Sequence, residues 1–161
     1  MLKDDNDRQY CLPFKGPFKG KWQNRKAVRI LDSEMQTIRE EMVQLVERFN
    51  ATFPSSPRPV NLRIHNRPAS HRLLSWRQAT HSGSYLQLFG SEAGTEILSR
   101  LGPNAVQLFA NFDLERLRLN FRSKLIWSTH HAYQLYQEGL DSQAAWFEGN
   151  VLVQGTIRSA S

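Results

Sequence analysis

The sequence is poor in the features that mark secreted and membrane proteins. Cys11 is the single cysteine among 161 residues, which excludes an internal disulfide and a cysteine-rich zinc cluster. The apolar runs are only a few residues long, whereas a membrane-spanning helix needs about 20. The N-terminal stretch MLKDDNDRQY places acids early and has no apolar segment, so we expect no signal peptide. We therefore expect a cytoplasmic protein that does not associate with membranes.

Signatures of catalysis are missing as well. The sequence contains five histidines, but their spacing matches no known zinc site, and the neighbours His130 and His131 would point about 100° apart on a helix. The stretch GSEAG at 90–94 lacks the lysine of a phosphate-binding loop, and no Gly-x-Ser-x-Gly elbow occurs. We therefore expect no enzyme activity, no metal and no cofactor. A metal enzyme stays open only as a third hypothesis, because nothing in the sequence explains the histidines.

Acidic residues are missing from one long stretch of a chain whose net charge is +6. Residues 54–82 contain five arginines and no acid, whereas residues 31–53 contain five acids and two bases. Such separation predicts basic patches beside acidic ones, which is the electrostatic footprint expected for a nucleic-acid partner. The alternative is a basic surface with no such role. The content of 40% hydrophobic and 22% charged residues predicts an ordinary globular protein in either case.

The first 30 residues form a basic segment rich in proline, glycine and aromatic residues. A Pro-Phe-Lys-Gly unit occurs twice, at 13–16 and 17–20, and this spacing of proline and glycine predicts neither a helix nor a long strand. Lys19 and Lys21 are candidate phosphate contacts, and Trp22 is a candidate stacking surface. The favoured alternative is that the aromatic side chains pack onto the domain, because three aromatics are a large apolar load to expose.

An amphipathic helix is predicted over residues 33–50. Apolar residues recur at the spacing of one helical face: Met35, Ile38, Met42, Leu45, Val46 and Phe49. Ser33 followed by Gln36 predicts a capping box at the start of the helix. The proline-rich stretch FPSSPRP is predicted to end it.

The stretch VNLRIHNRPASHRLLSWRQ, with the residues that follow it, predicts a three-stranded antiparallel meander. Apolar and polar residues alternate in three short segments, and NRPAS and HSGS supply turns. If the apolar side chains face the core, the outer face collects Arg63, His65, Ser75, Arg77, Tyr85 and Gln87. Such a face suits contact with a nucleic-acid backbone, and Arg72 is a further candidate phosphate contact. The equally weighted alternative is that Arg63 and Arg77 pair with acids of a covering helix.

The C-terminal half is predicted to be helical. A short helix is predicted to start after a cap at Ser91 and to end before Pro103. A long helix is predicted over 113–139, and residues 104–112 between these helices fit either a helix or a buried strand. A short helix is predicted next, near 142–147. The residues that follow it are predicted to form a strand at most.

The predicted long helix carries two apolar stripes, which is typical of a helix between two surfaces or one that makes an oligomer contact. The first stripe comprises Leu114, Leu117, Phe121, Leu125, Ala132 and Leu135. The second comprises Leu119, Ile126 and Tyr133, with Trp127 standing apart. The residues around this second stripe are the candidate contacts for a partner protein or for a second copy in a homodimer.

Three segments carry a resemblance to a known family: LPFKG…FKGKW near the N-terminus, VNLRI…RLLSWR in the predicted sheet, and the long Leu/Arg-rich C-terminal helix. They resemble an uncharacterised family encoded in bacterial integrating conjugative elements, whose members are sometimes labelled integrase regulator R. The resemblance covers most of the chain. It implies a gene carried beside functions such as a single-strand DNA-binding protein and a topoisomerase, and a role in maintenance or transfer of the element or its control. The family has no established active site, so the resemblance assigns no catalytic residue.

The sequence therefore predicts a single α+β domain over residues 31–150, between the basic segment 1–30 and a tail at 151–161. Its elements are an N-terminal helix, a three-stranded antiparallel meander and a helical C-terminal half with one long helix. The first functional hypothesis is a non-catalytic accessory protein of a mobile element that associates with nucleic acid, with DNA or RNA and single-stranded or duplex forms left open. The second is a protein-interaction subunit that docks another mobile-element protein or itself.

Overall fold

The part of the chain that the structure describes contains a small sheet, two long helices and one short helix. The computed structural model describes residues 20–54, 58–65, 71–79 and 85–158, with side chains between 25 and 149. In chain order the elements are α1 (Gly20–Thr52), β1 (Val60–His65), β2 (Leu73–Gln78), β3 (Tyr85–Leu86), α2 (Glu92–Ser99) and α3 (Pro103–Arg158). This order confirms the predicted α+β fold with an N-terminal helix, a three-stranded antiparallel sheet and a long C-terminal helix.

The chain divides into two compact units. One comprises Met1–Ile30 and Ala132–Ser161, and the other comprises Leu31–His131. In the first unit, Ala27 and Tyr133 are buried. The second unit contains the sheet, α2 and the main hydrophobic core, so it is the unit that positions the candidate site.

Helix α1 is longer than the sequence predicts. A helix over 33–50 is confirmed, but the predicted capping box is wrong because α1 begins at Gly20 and Ser33 lies inside it. The prediction that the segment 1–30 forms no helix is also wrong from Gly20 onward. No proline occurs between Gly20 and Phe53, so every backbone amide there can donate within a helix. The predicted apolar face is buried at Ile38, Met42, Leu45 and Phe49.

The sheet confirms the predicted meander. Its strand order is β1-β2-β3, and both pairings are antiparallel. β1 and β2 pair along their full lengths, whereas β3 is limited to Tyr85 and Leu86, which lie opposite Arg77 and Trp76. Because side chains alternate along a strand, one face of the sheet is buried: Val60, Leu62, Leu74 and Trp76.

Helix α2 begins where the sequence predicts. Ser91 has extended backbone, and its side chain accepts a hydrogen bond from Gly94 N at 3.1 Å. An N-cap of this kind stabilises a helix by about 1 kcal/mol. The carbonyl of Ser91 also accepts a hydrogen bond from Thr95 N at 2.9 Å. Both the side chain and the carbonyl of Ser91 are thus hydrogen-bonded to the first turn of the helix.

Helix α3 runs unbroken over Pro103–Arg158. The predicted boundaries at Asp113 and Gly139, the separate helix near 142–147 and the late strand are therefore wrong. Proline is favoured at the first position of a helix, where its missing N–H would have no partner, and residues 104–112 continue from it as helix. A glycine inside a helix costs only about 1 kcal/mol, which α3 tolerates at Gly139. Over the described ranges, no helix has an apolar stretch long enough to cross a bilayer.

Aromatic side chains from α1, β2 and α3 meet in the core of the second unit. Phe49 contacts Trp76, Phe109 and Phe112, with ring centroids 5.3, 5.8 and 5.4 Å apart. The rings meet edge to face, which is a favourable arrangement for aromatic pairs. This cluster packs one face of β2 against both long helices. Alternate side chains of β2 therefore project from the opposite face of the sheet.

Candidate nucleic-acid interface

The sheet has one polar face that is directed away from the core. Arg63 in β1 lies opposite Ser75 in β2, and Arg77 in β2 lies opposite Tyr85 in β3. His65 at the end of β1 reaches the same side through its contact with Tyr85. We call these five residues the outer sheet face. The structure thus brings together five of the six residues that the strand alternation predicts to share one side, whereas Gln87 lies beyond the end of β3.

Tyr85, on the edge strand β3, contacts two other residues of the outer sheet face. Its hydroxyl oxygen is 2.5 Å from His65 Nδ1 and accepts a hydrogen bond from Arg77 Nη2 at 3.3 Å. The Arg77 guanidinium also lies over the tyrosine ring, 4.8 Å from its centroid, which is a cation–π contact. Tyr85 is nevertheless 53% exposed. An aromatic ring is therefore held by a histidine and an arginine while about half of its surface stays open to a ligand.

The arginines of this face have no acidic partner among the residues that the structure describes. Neither Arg63 nor Arg77 forms a salt bridge there. Some arginines of the long helices differ in this respect, as in the pair of Arg122 Nη1 and Glu41 Oε2, which lie 2.5 Å apart. The alternative in which Arg63 and Arg77 pair with acids of a covering helix is therefore wrong for the described part of the chain. No carboxylate of the described residues therefore compensates their positive charge on this face.

Two polar atoms of the outer sheet face are buried without a hydrogen-bond partner. Ser75 Oγ and Arg77 Nε make no hydrogen bond within the described ranges. An unsatisfied buried donor costs about 1–3 kcal/mol. Because the protein encloses both atoms, neither of them is itself accessible to a ligand on this face.

Arg72 does not join the outer sheet face. It lines a shallow groove along α1 together with Gln36, Arg39 and Glu40. The reason is its position in the alternation, because Arg72 is an even number of residues from the buried Leu74 and side chains two apart share a side. A phosphate contact by Arg72 would thus be separate from those of the outer sheet face.

The candidate contacts in the N-terminal segment lie outside what the structure describes. Lys19 precedes the first described residue, and for Lys21 and Trp22 only the backbone in α1 is described. Their contacts with phosphates or bases stay predictions from the sequence.

The apolar stripe predicted to bind a partner is largely covered by the chain itself. Leu119 and Tyr133 are only 7% and 6% exposed, and Ile126 packs against the core. Trp127 is half-buried and stacks on His131, with ring centroids 5.3 Å apart. These residues therefore do not form an open docking surface, and the interpretation of this stripe needs correction. The other apolar stripe of α3 is the one that stays exposed.

Polar side chains of α3 hold β2 in place, and sequence reasoning missed them. Asn120 Oδ1 accepts a hydrogen bond from Leu74 N at 2.7 Å, and its Nδ2 donates to Leu74 O at 2.8 Å. Asp113 Oδ1 accepts from Trp76 Nε1 at 2.6 Å. Ser123 Oγ donates to the carbonyl of the residue just before β2 at 2.9 Å. The available signal was the recurrence of these polar residues along one face of the helix.

The histidines of α3 have packing and hydrogen-bonding partners. His130 Nε2 lies 3.1 Å from Asp32 Oδ1, and His131 stacks on Trp127. Within the described ranges, no group of three or more His, Cys, Asp or Glu side chains is placed to hold a metal ion. Both histidines thus take part in the contacts of α3.

Comparisons with known proteins find no relative of this chain: no family model, no curated protein and no solved structure matches it. The chemistry of the outer sheet face is therefore the basis for assigning a function.

Proposed function

We propose that this chain is a non-catalytic accessory protein of a bacterial mobile element that associates with nucleic acid through the outer sheet face. The observation that supports the proposal is the exposed Tyr85 in contact with Arg77, on a sheet face whose arginines lack an acidic partner among the described residues. Arg63 and Arg77 would contact phosphates, and Tyr85 would stack on a base. The mobile-element setting and the cytoplasmic location rest on the sequence alone.

The contact that we propose is with the nucleic-acid backbone and not with a particular base sequence. Readers of duplex sequence insert a helix or a β-ribbon into the major groove. An exposed tyrosine on a sheet face with two arginines instead supplies stacking and phosphate neutralisation, which every sequence accepts. Bases of a single strand are open to stacking, so we expect single-stranded DNA to bind more tightly than duplex.

Fluorescence anisotropy with labelled single-stranded and duplex DNA tests the proposal. Titrations at about 50 and 200 mM salt should show micromolar binding that weakens steeply as salt rises. The double variant Arg63→Ala/Arg77→Ala should weaken binding and lower the salt slope by about 2, since each phosphate contact contributes about 1. The matched control Arg118→Ala/Lys124→Ala removes the same charge from exposed residues of α3 that also lack a salt bridge among the described residues.

Two substitutions at Tyr85 separate stacking from hydrogen bonding. Tyr85→Ala removes the ring and should weaken single-strand binding by roughly 5- to 150-fold, the equivalent of about 1–3 kcal/mol per stacked base. Tyr85→Phe keeps the ring and removes only the hydroxyl that contacts His65 and Arg77, so most of the affinity should remain. No binding to either DNA at low salt would contradict the proposal, as would equal losses in the control double variant.

A further inference from the structure

Helix α3 exposes a row of apolar side chains in the second unit. Leu114, Leu117, Phe121 and Leu125 are 60%, 51%, 68% and 39% exposed. Their spacing places them on one helical face over three turns, a length of roughly 16 Å. We call these residues the exposed apolar stripe. It presents on the order of 400 Å² of apolar surface, a size that often marks an interaction site on a monomer.

Basic residues border the exposed apolar stripe on both sides. At about 100° per residue, Arg118 lies beside the stripe on one flank and Lys124 on the other. Both side chains are exposed, and neither forms a salt bridge with another described residue. The carboxylates of this part of α3 belong to Asp113 and Glu115, and both already pair with arginines. Within the described part of the chain, the stripe therefore has a positive border that forms no salt bridge.

We infer that the exposed apolar stripe docks an amphipathic helix of a partner protein, and that Asp or Glu flanks the apolar face of that helix. Packing along the stripe would bury the leucines and Phe121, as in other complexes where a helix lies on an apolar surface. The flanking carboxylates would reach Arg118 and Lys124, which gives the contact both its register and its selectivity.

A second copy of this chain fits the stripe less well than an acidic helix does. Its own border is basic, and like charges that face each other across an interface oppose association. Charge therefore favours a docked acidic helix over a homodimer.

Two designed peptides of about 18 residues test the inference. Both carry one leucine stripe at helical spacing, with Glu at the flanking positions in one peptide and Lys in the other. Calorimetric titration into the full chain should show binding of the Glu peptide and at least about tenfold weaker binding of the Lys peptide. Phe121→Ser should weaken the Glu peptide at least about tenfold, as expected for a central aromatic anchor. The control Leu108→Ser changes an apolar residue of the same helix that is 42% exposed but lies off the stripe. It should not weaken binding of the Glu peptide.

Further measurements distinguish a docked acidic helix from other occupants of the exposed apolar stripe. Arg118→Gln/Lys124→Gln should remove the preference for the Glu peptide. If circular dichroism shows that Phe121→Ser does not fold, Leu117→Ser replaces it. The inference is overturned if the Glu peptide fails to bind at up to about 1 mM, if both peptides bind equally, or if Phe121→Ser leaves binding unchanged. A dimer in light scattering that Phe121→Ser dissociates would assign the stripe to a second copy and also overturn it.

Discussion

Asn120 provides a direct test of how α3 supports the sheet. Its side-chain amide accepts from Leu74 N and donates to Leu74 O, so it takes the place of a neighbouring strand at a point that β3 does not reach. Leu74 is 1% exposed, and water has little access to its backbone groups. We predict that Asn120→Ala destabilises the fold, because a buried donor and a buried acceptor lose their partners at once.

The size of this effect follows from the two hydrogen bonds. Each unsatisfied buried group costs about 1–3 kcal/mol, so two of them predict a loss of about 2–5 kcal/mol after partial relaxation. Small domains have a total free energy of unfolding of about 5–15 kcal/mol. At about 2–4 °C per kcal/mol for a chain of this length, Tm should fall by about 4–20 °C.

Urea unfolding followed by circular dichroism measures the change in free energy. Asn111→Ala is the matched control, because Asn111 is exposed on the same helix and only accepts a bond from Gln107 one turn away. Such an i,i+4 pair contributes about 0.2–0.5 kcal/mol. If Asn120→Ala costs no more than this control, the Leu74 backbone groups find other partners and the reasoning is refuted.

The remaining predictions concern steric limits and a buried carboxylate. Gly94→Ala should destabilise by about 1–3 kcal/mol, because its Cβ would lie 2.1 Å from the carbonyl oxygen of Leu88. Gly139→Ala meets nothing within 4 Å and should stabilise by up to about 1 kcal/mol, so equal Tm values for the two variants would contradict this account. Asp113→Ala should cost about 3–5 kcal/mol in urea unfolding, because it removes the acceptor of Trp76 Nε1 and leaves a largely buried arginine unpaired; a loss below about 1 kcal/mol would refute it.

The outer sheet face was predictable because it depends on local alternation. In a two-residue period, burial of Leu74 and Trp76 places Ser75 and Arg77 on the other side of the strand. The contact between Asn120 and Leu74 was not predictable in the same way, because the two residues are 46 positions apart. Nothing in the sequence near Asn120 indicates which backbone groups its amide meets.

By itself, the sequence determined the strands, the apolar face of α1 and the separation of acids from bases, because each depends on residues that are neighbours along the chain. Tertiary structure decided which stripe of α3 is buried, since Leu119 and Phe121 are equally apolar and only packing leaves the first 7% and the second 68% exposed. It also decided which arginines meet carboxylates. Helix α1 brings Glu41 to Arg122, whereas no acid of the described residues reaches Arg63. Such pairings depend on which elements meet in space, and local periodicity carries no information about that.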